Sequence, residues 1–202
     1  MEVLETKRLI LRDLRPQDIA DFYAYAKDPA VGLPAGWKPH ESLEESRAVL
    51  ACLIREQELW ALEDRETGRV IGSVGLHQDR RRQNGDVRML GYVLAQGYWG
   101  RGLMPEAVQR VLAYGFERME LQLVSVCHYP FNGRSRRVIE KCGFVYEGTL
   151  RRAFRRFDGV VLDEICHSIT REEYLAAFAG QKAFGDQRQR KDPLEKPSPR
   201  RA

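Results

Sequence analysis

Apolar residues recur at helical spacing in the first quarter of the chain. Ile19, Phe22, Tyr23 and Ala26 occupy positions i, i+3, i+4 and i+7, which predicts a helix with one buried face. The run Ser-Leu-Glu-Glu at 42–45 has the form of a capping box, and it predicts that a second helix begins there. Because proline and glycine interrupt the stretch between the two helices, residues 30–40 are predicted to form an irregular loop.

Short apolar runs separated by turn residues predict strands along the rest of the chain. These runs lie at residues 8–12, 60–63, 69–76, 87–94, 123–127, 144–157 and 160–170. Thr67-Gly68 and Asp158-Gly159 mark turns between neighbouring runs. Helical patterns begin at Pro105, Ser135 and Glu172, and neither a repeat nor an internal boundary divides the chain. The pattern is that of a mixed α/β domain, which we place at residues 1–180.

The most informative stretch is residues 98–107, Tyr-Trp-Gly-Arg-Gly-Leu-Met-Pro-Glu-Ala, which follows a predicted strand. A strand, a glycine turn and a helix N-terminus together present free backbone N–H groups and the positive end of a helix dipole to an anion. Gly100 and Gly102 allow close approach of the backbone to a ligand, and Pro105 suits the first helical position. The stretch has neither the Gly-Lys-Ser/Thr of a nucleoside-triphosphate loop nor a third glycine at dinucleotide spacing. It is therefore a diphosphate site or an ordinary strand-to-helix turn.

This stretch resembles the acetyl-CoA-binding segment of the GNAT N-acetyltransferases, whose signature is Gln/Arg-x-x-Gly-x-Gly/Ala. Trp99 stands at the Gln/Arg position, Gly102 at the central glycine, and Met104 at the final Gly/Ala, where this chain departs from the signature. Residues 132–144 resemble a second family segment, Asn-x-x-Ser-x-x-Val/Leu-x-Glu-Lys-x-Gly-Phe. The similarity extends over residues 5–175 and is to the branch that contains the ribosomal-protein-alanine N-acetyltransferases.

The resemblance implies the GNAT fold, which is α/β (α+β): a mixed, mostly antiparallel seven-stranded sheet flanked by helices, in which the fourth and fifth strands splay apart. It implies that acetyl-CoA enters this opening as co-substrate. The residues expected to bind it are Leu94, Ala95, Trp99, Gly100, Arg101, Gly102, Leu103, Met104, Asn132 and Arg137. Leu94 and Ala95 would bond the pantetheine arm through their backbone, and Asn132 would meet the same arm.

The reaction implied is direct acetyl transfer to a primary amine, which needs a neutral amine, an oxyanion donor and a proton for the departing thiolate. Many family members carry a tyrosine acid where this chain has Ile139, so we expect Ser135 to be the general acid, although it is also a suitable helix cap. Related ribosomal-protein enzymes carry a glutamate base where this chain has Arg-Arg-Ala-Phe at 151–154. His128, Glu147 and Glu164 are the substitute base candidates.

The expected acceptor follows from amine acidity. An α-amine with a pKa of about 7.7–8 is roughly a tenth neutral at pH 7, whereas a lysine amine near ~10.4 is neutral in fewer than about one molecule per thousand. A site without an obvious base therefore favours the N-terminal α-amine of a protein or peptide. Two alternatives stay open: a small-molecule acceptor such as an antibiotic, polyamine or amino acid, and a non-catalytic acetyl-CoA sensor.

The distribution of charge argues against nucleic acid as a partner. The formal net charge is +4, but residues 185–202 hold six basic and three acidic residues, which leaves +1 for the remainder. A nearly neutral body does not attract a polyanion in general, and residues 181–202, rich in proline and glutamine, are predicted to be a disordered basic tail. Nucleic-acid binding through this tail is the third alternative.

Composition sets the remaining expectations. No apolar run approaches the ~18 residues of a membrane span, and nothing resembles a signal peptide, so a cytoplasmic location without membrane contact is predicted. The four cysteines, Cys52, Cys127, Cys142 and Cys166, form no Cys-x-x-Cys pair, which predicts reduced thiols and no metal site. The acceptor, the base and the oligomeric state, including a homodimer, are left open by the sequence.

Overall fold

A computed structural model describes residues 1–177. Its strands are β1 (Leu4–Glu5), β2 (Leu9–Arg12), β3 (Leu59–Asp64), β4 (Val70–Gln78), β5 (Val87–Leu94), β6 (Leu123–His128), β7 (Val145–Arg155) and β8 (Val161–Thr170). Its helices are α1 (Ile19–Ala26), α2 (Pro29–Ala35), α3 (Leu43–Glu56), α4 (Leu103–Glu117) and α5 (Gly133–Lys141), and residues 171–177 are helical as well. The predicted basic tail at 181–202 lies outside the described residues.

The strands form one sheet in the order β1-β2-β3-β4-β5-β6-β8-β7. Every neighbouring pair is antiparallel except β5 and β6, which are parallel, so the mixed and mostly antiparallel sheet is confirmed. The sheet has eight strands rather than seven, because β1 precedes the first predicted strand and pairs with β2. A turn closed by the Leu9 N–H, which donates to Thr6 Oγ1 at 2.9 Å, joins these two strands.

Helices cover both faces of the sheet. Alternate residues of β4, β5 and β6 pack with α4 in the main core, where Val108, Val111 and Leu112 are completely buried. The opposite face is covered in part by α1 and α3, whose Phe22 and Leu50 belong to a second apolar cluster. We call this second face the α1–α3 side. Within residues 1–177, no helix has both the length and the apolar character needed to cross a membrane.

Two predictions for the first forty residues are wrong in part. The stretch predicted as an irregular loop contains α2, which Asp28 caps by accepting from the Ala30 N–H at 2.8 Å. Gly36, with φ of 90°, ends this helix in a left-handed conformation that glycine adopts without strain. In α1, Phe22 and Ala26 are buried as predicted, but Tyr25 is buried as well and Tyr23 is only half-buried.

Candidate active site

A cleft opens where β5 and β6 separate. The two parallel strands pair only at Val87–Leu123, Arg88–Val124 and Met89–Ser125. From residue 90 onward β5 pairs with no other strand on that edge among residues 1–177, and a cavity of about 900 Å³ occupies the opening. The predicted separation of two neighbouring strands is thus present. These strands are β5 and β6 rather than the fourth and fifth, because the unpredicted strand β1 adds one to the numbering.

Strand register decides which backbone groups face this cleft. The Ala95 N–H donates to Ile71 O at 2.7 Å, so it points toward β4 and away from the cleft. Backbone groups alternate in direction along an antiparallel pair, so the N–H groups of Tyr92 and Leu94 point to the cleft instead. The Leu94 N–H, which was expected to bind acetyl-CoA, therefore faces the cleft. The Ala95 N–H does not face the cleft, whereas the Tyr92 N–H, which was not predicted, does.

The glycine turn leads directly into α4. Gly100 and Gly102 have φ of 76° and 74°, and α4 begins at Leu103 rather than at Pro105, which lies in its third position. Proline removes no helical hydrogen bond at this position, because the first four N–H groups of a helix have no intrahelical acceptor. Within the described residues, the N–H groups of residues 100–104 donate to no acceptor. They are a set of donors at a helix N-terminus, which fits the diphosphate of CoA.

Side chains hold this turn and add positive charge beside it. Arg8 Nη1 donates to Arg101 O at 2.8 Å, and Arg8 Nε donates to Glu106 Oε2 at 2.7 Å. Met104 is buried in the main core, so its departure from the family signature affects packing and leaves its N–H in place. Sequence reasoning missed Arg134, whose guanidinium carbon lies 4.4 Å from the centre of the Trp99 ring.

The α5 side of the cleft carries more of the predicted residues. Asn132 caps α5 by accepting from the Ser135 N–H at 3.1 Å, and its amide also donates to Pro34 O at 3.2 Å. Arg137, which was predicted, and Lys141, which was not, line the cavity together with Arg134. These three cations give the α5 side a positive charge suited to a phosphate ligand.

Ser135 does not stand alone as a proton donor. The hydroxyl groups of Ser135 and Tyr92 lie 2.7 Å apart, and the Tyr92 hydroxyl is also 3.2 Å from Ser135 O. Burial raises the pKa of Tyr92, against the opposing effect of the Ser135 hydrogen bond, so this phenol keeps its proton at neutral pH. Tyr92 was missed because it lies on a strand, whereas the family's tyrosine lies on the helix, where Ile139 is fully buried here.

The three base candidates lie in different surroundings. His128 lines the cavity but is 4 % exposed, and its ring stacks on His167 at 5.4 Å. Glu164 lines the cavity and forms an ion pair with Arg81. The Glu147 carboxylate accepts from Arg82 at 2.5 Å and from Ser168 at 2.8 Å and does not line the cavity, which disfavours a catalytic role.

The α1–α3 side of the cavity holds two contacts that the sequence did not indicate. Cys127 and Cys166 face each other across β6 and β8 with their sulfur atoms 3.0 Å apart, and both are free thiols. His77 Nδ1 lies 2.9 Å from Glu58 Oε2, and His77 lines the cavity. Each contact joins residues far apart in the chain, so only the register of the strands could have revealed it.

Comparisons with known proteins find similar sequences. The sequence profile of the acetyltransferase (GNAT) domain matches residues 8–145. An uncharacterized N-acetyltransferase of Bacillus subtilis, YoaA, is 30% identical over 177 residues, which are 84% of this chain and 97% of that protein.

Solved structures extend the comparison at lower identity. A GNAT acetyltransferase from Bacillus anthracis superposes with a TM-score of 0.77 at 23% identity, covering 85% of this chain and 99% of the other. The ribosomal-protein-S5-alanine acetyltransferase of Vibrio fischeri gives 0.68 at 22% identity over 86% and 99%. A chimera of the Vibrio cholerae spermidine N-acetyltransferase SpeG gives 0.69 at 24% identity over 84% and 99%. Similarity at this level describes the fold, and the two named acceptors differ while the scores are almost equal.

Proposed function

The chain belongs to the GNAT family and is an acetyl-CoA-dependent N-acetyltransferase, and from this premise we propose that its acceptor is the N-terminal α-amine of a protein or peptide in the cytoplasm. The observation that carries this proposal is the charge of the cavity. Within the described residues, three of its cations, Arg134, Arg137 and Lys141, lie on the α5 side that suits the CoA phosphates, and the rest of the lining holds Lys38 and Arg81 against Glu45 and Glu164. An acceptor with several positive charges, such as a polyamine or an aminoglycoside, would find no excess of negative charge there.

The two glutamates are also engaged. Glu164 is paired with Arg81, and Glu45 accepts from the Glu41 N–H at 2.7 Å. Glu164 is therefore neutralised, which leaves Glu45 as the one carboxylate of the described cavity lining without a cationic partner, too few to recognise a polyamine or an aminoglycoside. An α-amine brings at most one positive charge, and about a tenth of it is already neutral at pH 7.

The mouth of the cavity suits an extended chain. Tyr129 lines the cavity and stacks on Phe131 at 5.8 Å and on Phe154 of β7 at 5.5 Å. Phe131 is 54% exposed, so part of this aromatic row is open to solvent. Aromatic faces beside a reaction site can hold the residues that follow a peptide N-terminus.

Different groups of the site bind the diphosphate of acetyl-CoA, polarise a carbonyl oxygen and hold a proton for the departing sulfur. Bound acetyl-CoA supplies an activated acetyl group, and the N–H groups of residues 100–104 hold its diphosphate through charge-assisted bonds of about 1.5–3 kcal/mol each. The N–H groups of Tyr92 and Leu94 face the cleft, where they can polarise a carbonyl oxygen. The Tyr92–Ser135 pair holds a proton beside this position for the departing sulfur.

Loss of this proton donor should slow turnover moderately. We expect Tyr92→Phe and Ser135→Ala each to lower kcat about 3- to 10-fold, because a thiolate with a pKa near ~8.5 leaves readily with little help. The double variant should be no slower than the worse single variant, because the two hydroxyl groups act through one hydrogen bond. Steady-state kinetics with calorimetric binding of CoA would test this, and unchanged kcat in both folded single variants would contradict it.

The acceptor itself is tested by thiol release from acetyl-CoA over a panel of amines. The decisive pair is one peptide with a free α-amine and no lysine, and the same peptide with its N-terminus blocked and one lysine added. We expect turnover of the first and almost none of the second, of polyamines or of aminoglycosides. Faster turnover of lysine or a small amine would overturn the α-amine proposal, and binding of acetyl-CoA without any turnover would favour a sensor.

A further inference from the structure

His77 and Glu58 form a hydrogen-bonded pair on the α1–α3 side of the sheet. His77 lies near the end of β4, Glu58 directly precedes β3, and Nδ1 is 2.9 Å from the glutamate oxygen. A carboxylate only accepts hydrogen bonds, so Nδ1 carries the hydrogen. In the neutral ring this leaves a lone pair on Nε2, the atom that can take up a proton.

The Nε2 atom lies over β5 inside the cavity. A Cβ atom placed on Gly91 would be 3.1 Å from Nε2, so a side chain at position 91 would crowd the imidazole. Glycine at this position therefore lets the imidazole lie directly against β5. His77 and Gly91 both line the cavity, and Gly91 immediately precedes Tyr92.

The proton acceptor and the proton donor lie on opposite faces of β5. Side chains alternate along a strand, so position 91 faces the α1–α3 side while Tyr92 packs with the main core beside α4 and α5. The cleft edge of β5, with the Tyr92 N–H, lies between them. This is the arrangement that acetyl transfer needs, since one proton leaves the amine on one side and another reaches the sulfur on the other.

We propose that His77, oriented by Glu58, is the general base of the acetyl transfer; this rests on the proposed function. The N–C bond forms as the C–S bond breaks, and Nε2 takes the proton from the amine nitrogen. The sulfur receives the proton held by Tyr92 and Ser135. His77 returns its proton to solvent, and the hydroxyl pair is reprotonated from solvent, so the cycle balances.

The other base candidates have less suitable surroundings. His128 is buried against the ring of His167, and Glu164 is paired with Arg81. The His77 side chain is 31% exposed, and its carboxylate partner fixes the orientation of the ring. Other titratable groups that line the cavity on this side include Tyr25, Lys38, His40, Glu45, Arg81, Cys127 and Glu164. Among the described residues, only Glu58 is hydrogen-bonded to the His77 ring.

The test compares three variants with the wild type, using the amine that the wild type acetylates best. We expect His77→Ala to lower kcat/KM about 100-fold, the lower end for loss of a general base, while the Kd for CoA is unchanged. Glu58→Gln should cost roughly tenfold. Glu56→Gln is the matched control, because Glu56 is an exposed glutamate two residues away that bonds Cys52 and does not line the cavity.

Chemical rescue separates a base from a structural residue. Added imidazole should restore part of the His77→Ala rate, with a rescue that grows as pH rises and more imidazole is neutral, and it should not rescue Glu58→Gln. A folded His77→Ala enzyme that keeps most of its rate, or that loses it without rescue, would overturn the proposal.

The same assay distinguishes failure of the two proposals. Loss and rescue observed with a small amine would support His77 while overturning the α-amine acceptor. A wild type that acetylates no amine would overturn both.

Discussion

Valine in place of Gly102 should raise the Kd for CoA about 10- to 100-fold. Gly102 has φ of 74°, in the left-handed region, where a β-branched residue is strained by about 1–3 kcal/mol. The turn would relax toward negative φ and carry the N–H groups of residues 100–104 out of line with the diphosphate. Loss of one or two charge-assisted bonds of ~1.5–3 kcal/mol each gives this range. Isothermal titration calorimetry with CoA measures it directly.

Gly68→Val is a matched control for this change. Gly68 has φ of 68° in the turn between β3 and β4, and a Cβ there would meet nothing within 4 Å. It does not line the cavity, so the same backbone strain should lower stability without changing the Kd for CoA. Equal CoA affinity in the folded Gly102→Val protein and the wild type would contradict the assignment of the diphosphate to this turn.

The glycine turn was predictable because its whole chemistry is local. Two glycines, a preceding strand and a following helix lie within a short range of sequence, and the structure has the strand, the turn and the helix in this order. The start of α4 was wrong by two residues, because Pro105 is compatible with any of the first helical positions and does not fix which one it occupies. Local sequence also predicted a helix from Ser135, and the structure begins this helix two residues earlier, at Gly133, with Asn132 as its cap.

Residues that depend on strand pairing were not predictable in this way. Tyr92 meets Ser135 only because the fold brings α5 beside β5, and His77 meets Glu58 only because β3 and β4 pair in one particular register. Sequence patterns showed that β4 and β5 exist but gave no register between them. The base candidates were therefore chosen from the resemblance, and the resemblance places no base at His77.

Two short elements escaped prediction for a different reason. The two-residue strand β1 is too brief to show alternation, yet Leu4 is fully buried in the main core. Helix α2 contains Pro34 and ends at a glycine, so its composition is that of a loop. In each case tertiary packing outweighs local preference.

A second large effect is expected at the base of α1, where Arg12 is buried between two carboxylates. Its guanidinium donates to both Asp18 oxygens at 2.9 Å and to Glu63 at 2.5 Å. The hydrogen bond to Asp18, and then that to Glu63, raises the pKa of Arg12 above its ordinary range, although burial lowers it. Arg12→Met should lower the free energy of unfolding by about 3–5 kcal/mol, because the 7 % exposed Asp18 would keep a buried charge without its partner.

Urea unfolding of Arg12→Met and of two companions separates a lost buried pair from a lost surface charge. Arg69→Met removes an exposed arginine that also pairs with an aspartate, Asp21, and it should cost far less. Replacing Arg12, Asp18 and Glu63 together by Met, Leu and Leu should recover much of the loss, because no buried charge is then left unpaired. If Arg12→Met unfolds at the same urea concentration as Arg69→Met, the triad does not stabilise the fold. Arg12→Met should also affect the acceptor site, because the Arg12–Asp18 contact holds the start of α1, and Phe22 and Tyr25 of this helix line the cavity. We expect the KM for the acceptor to rise by a larger factor than the Kd for CoA.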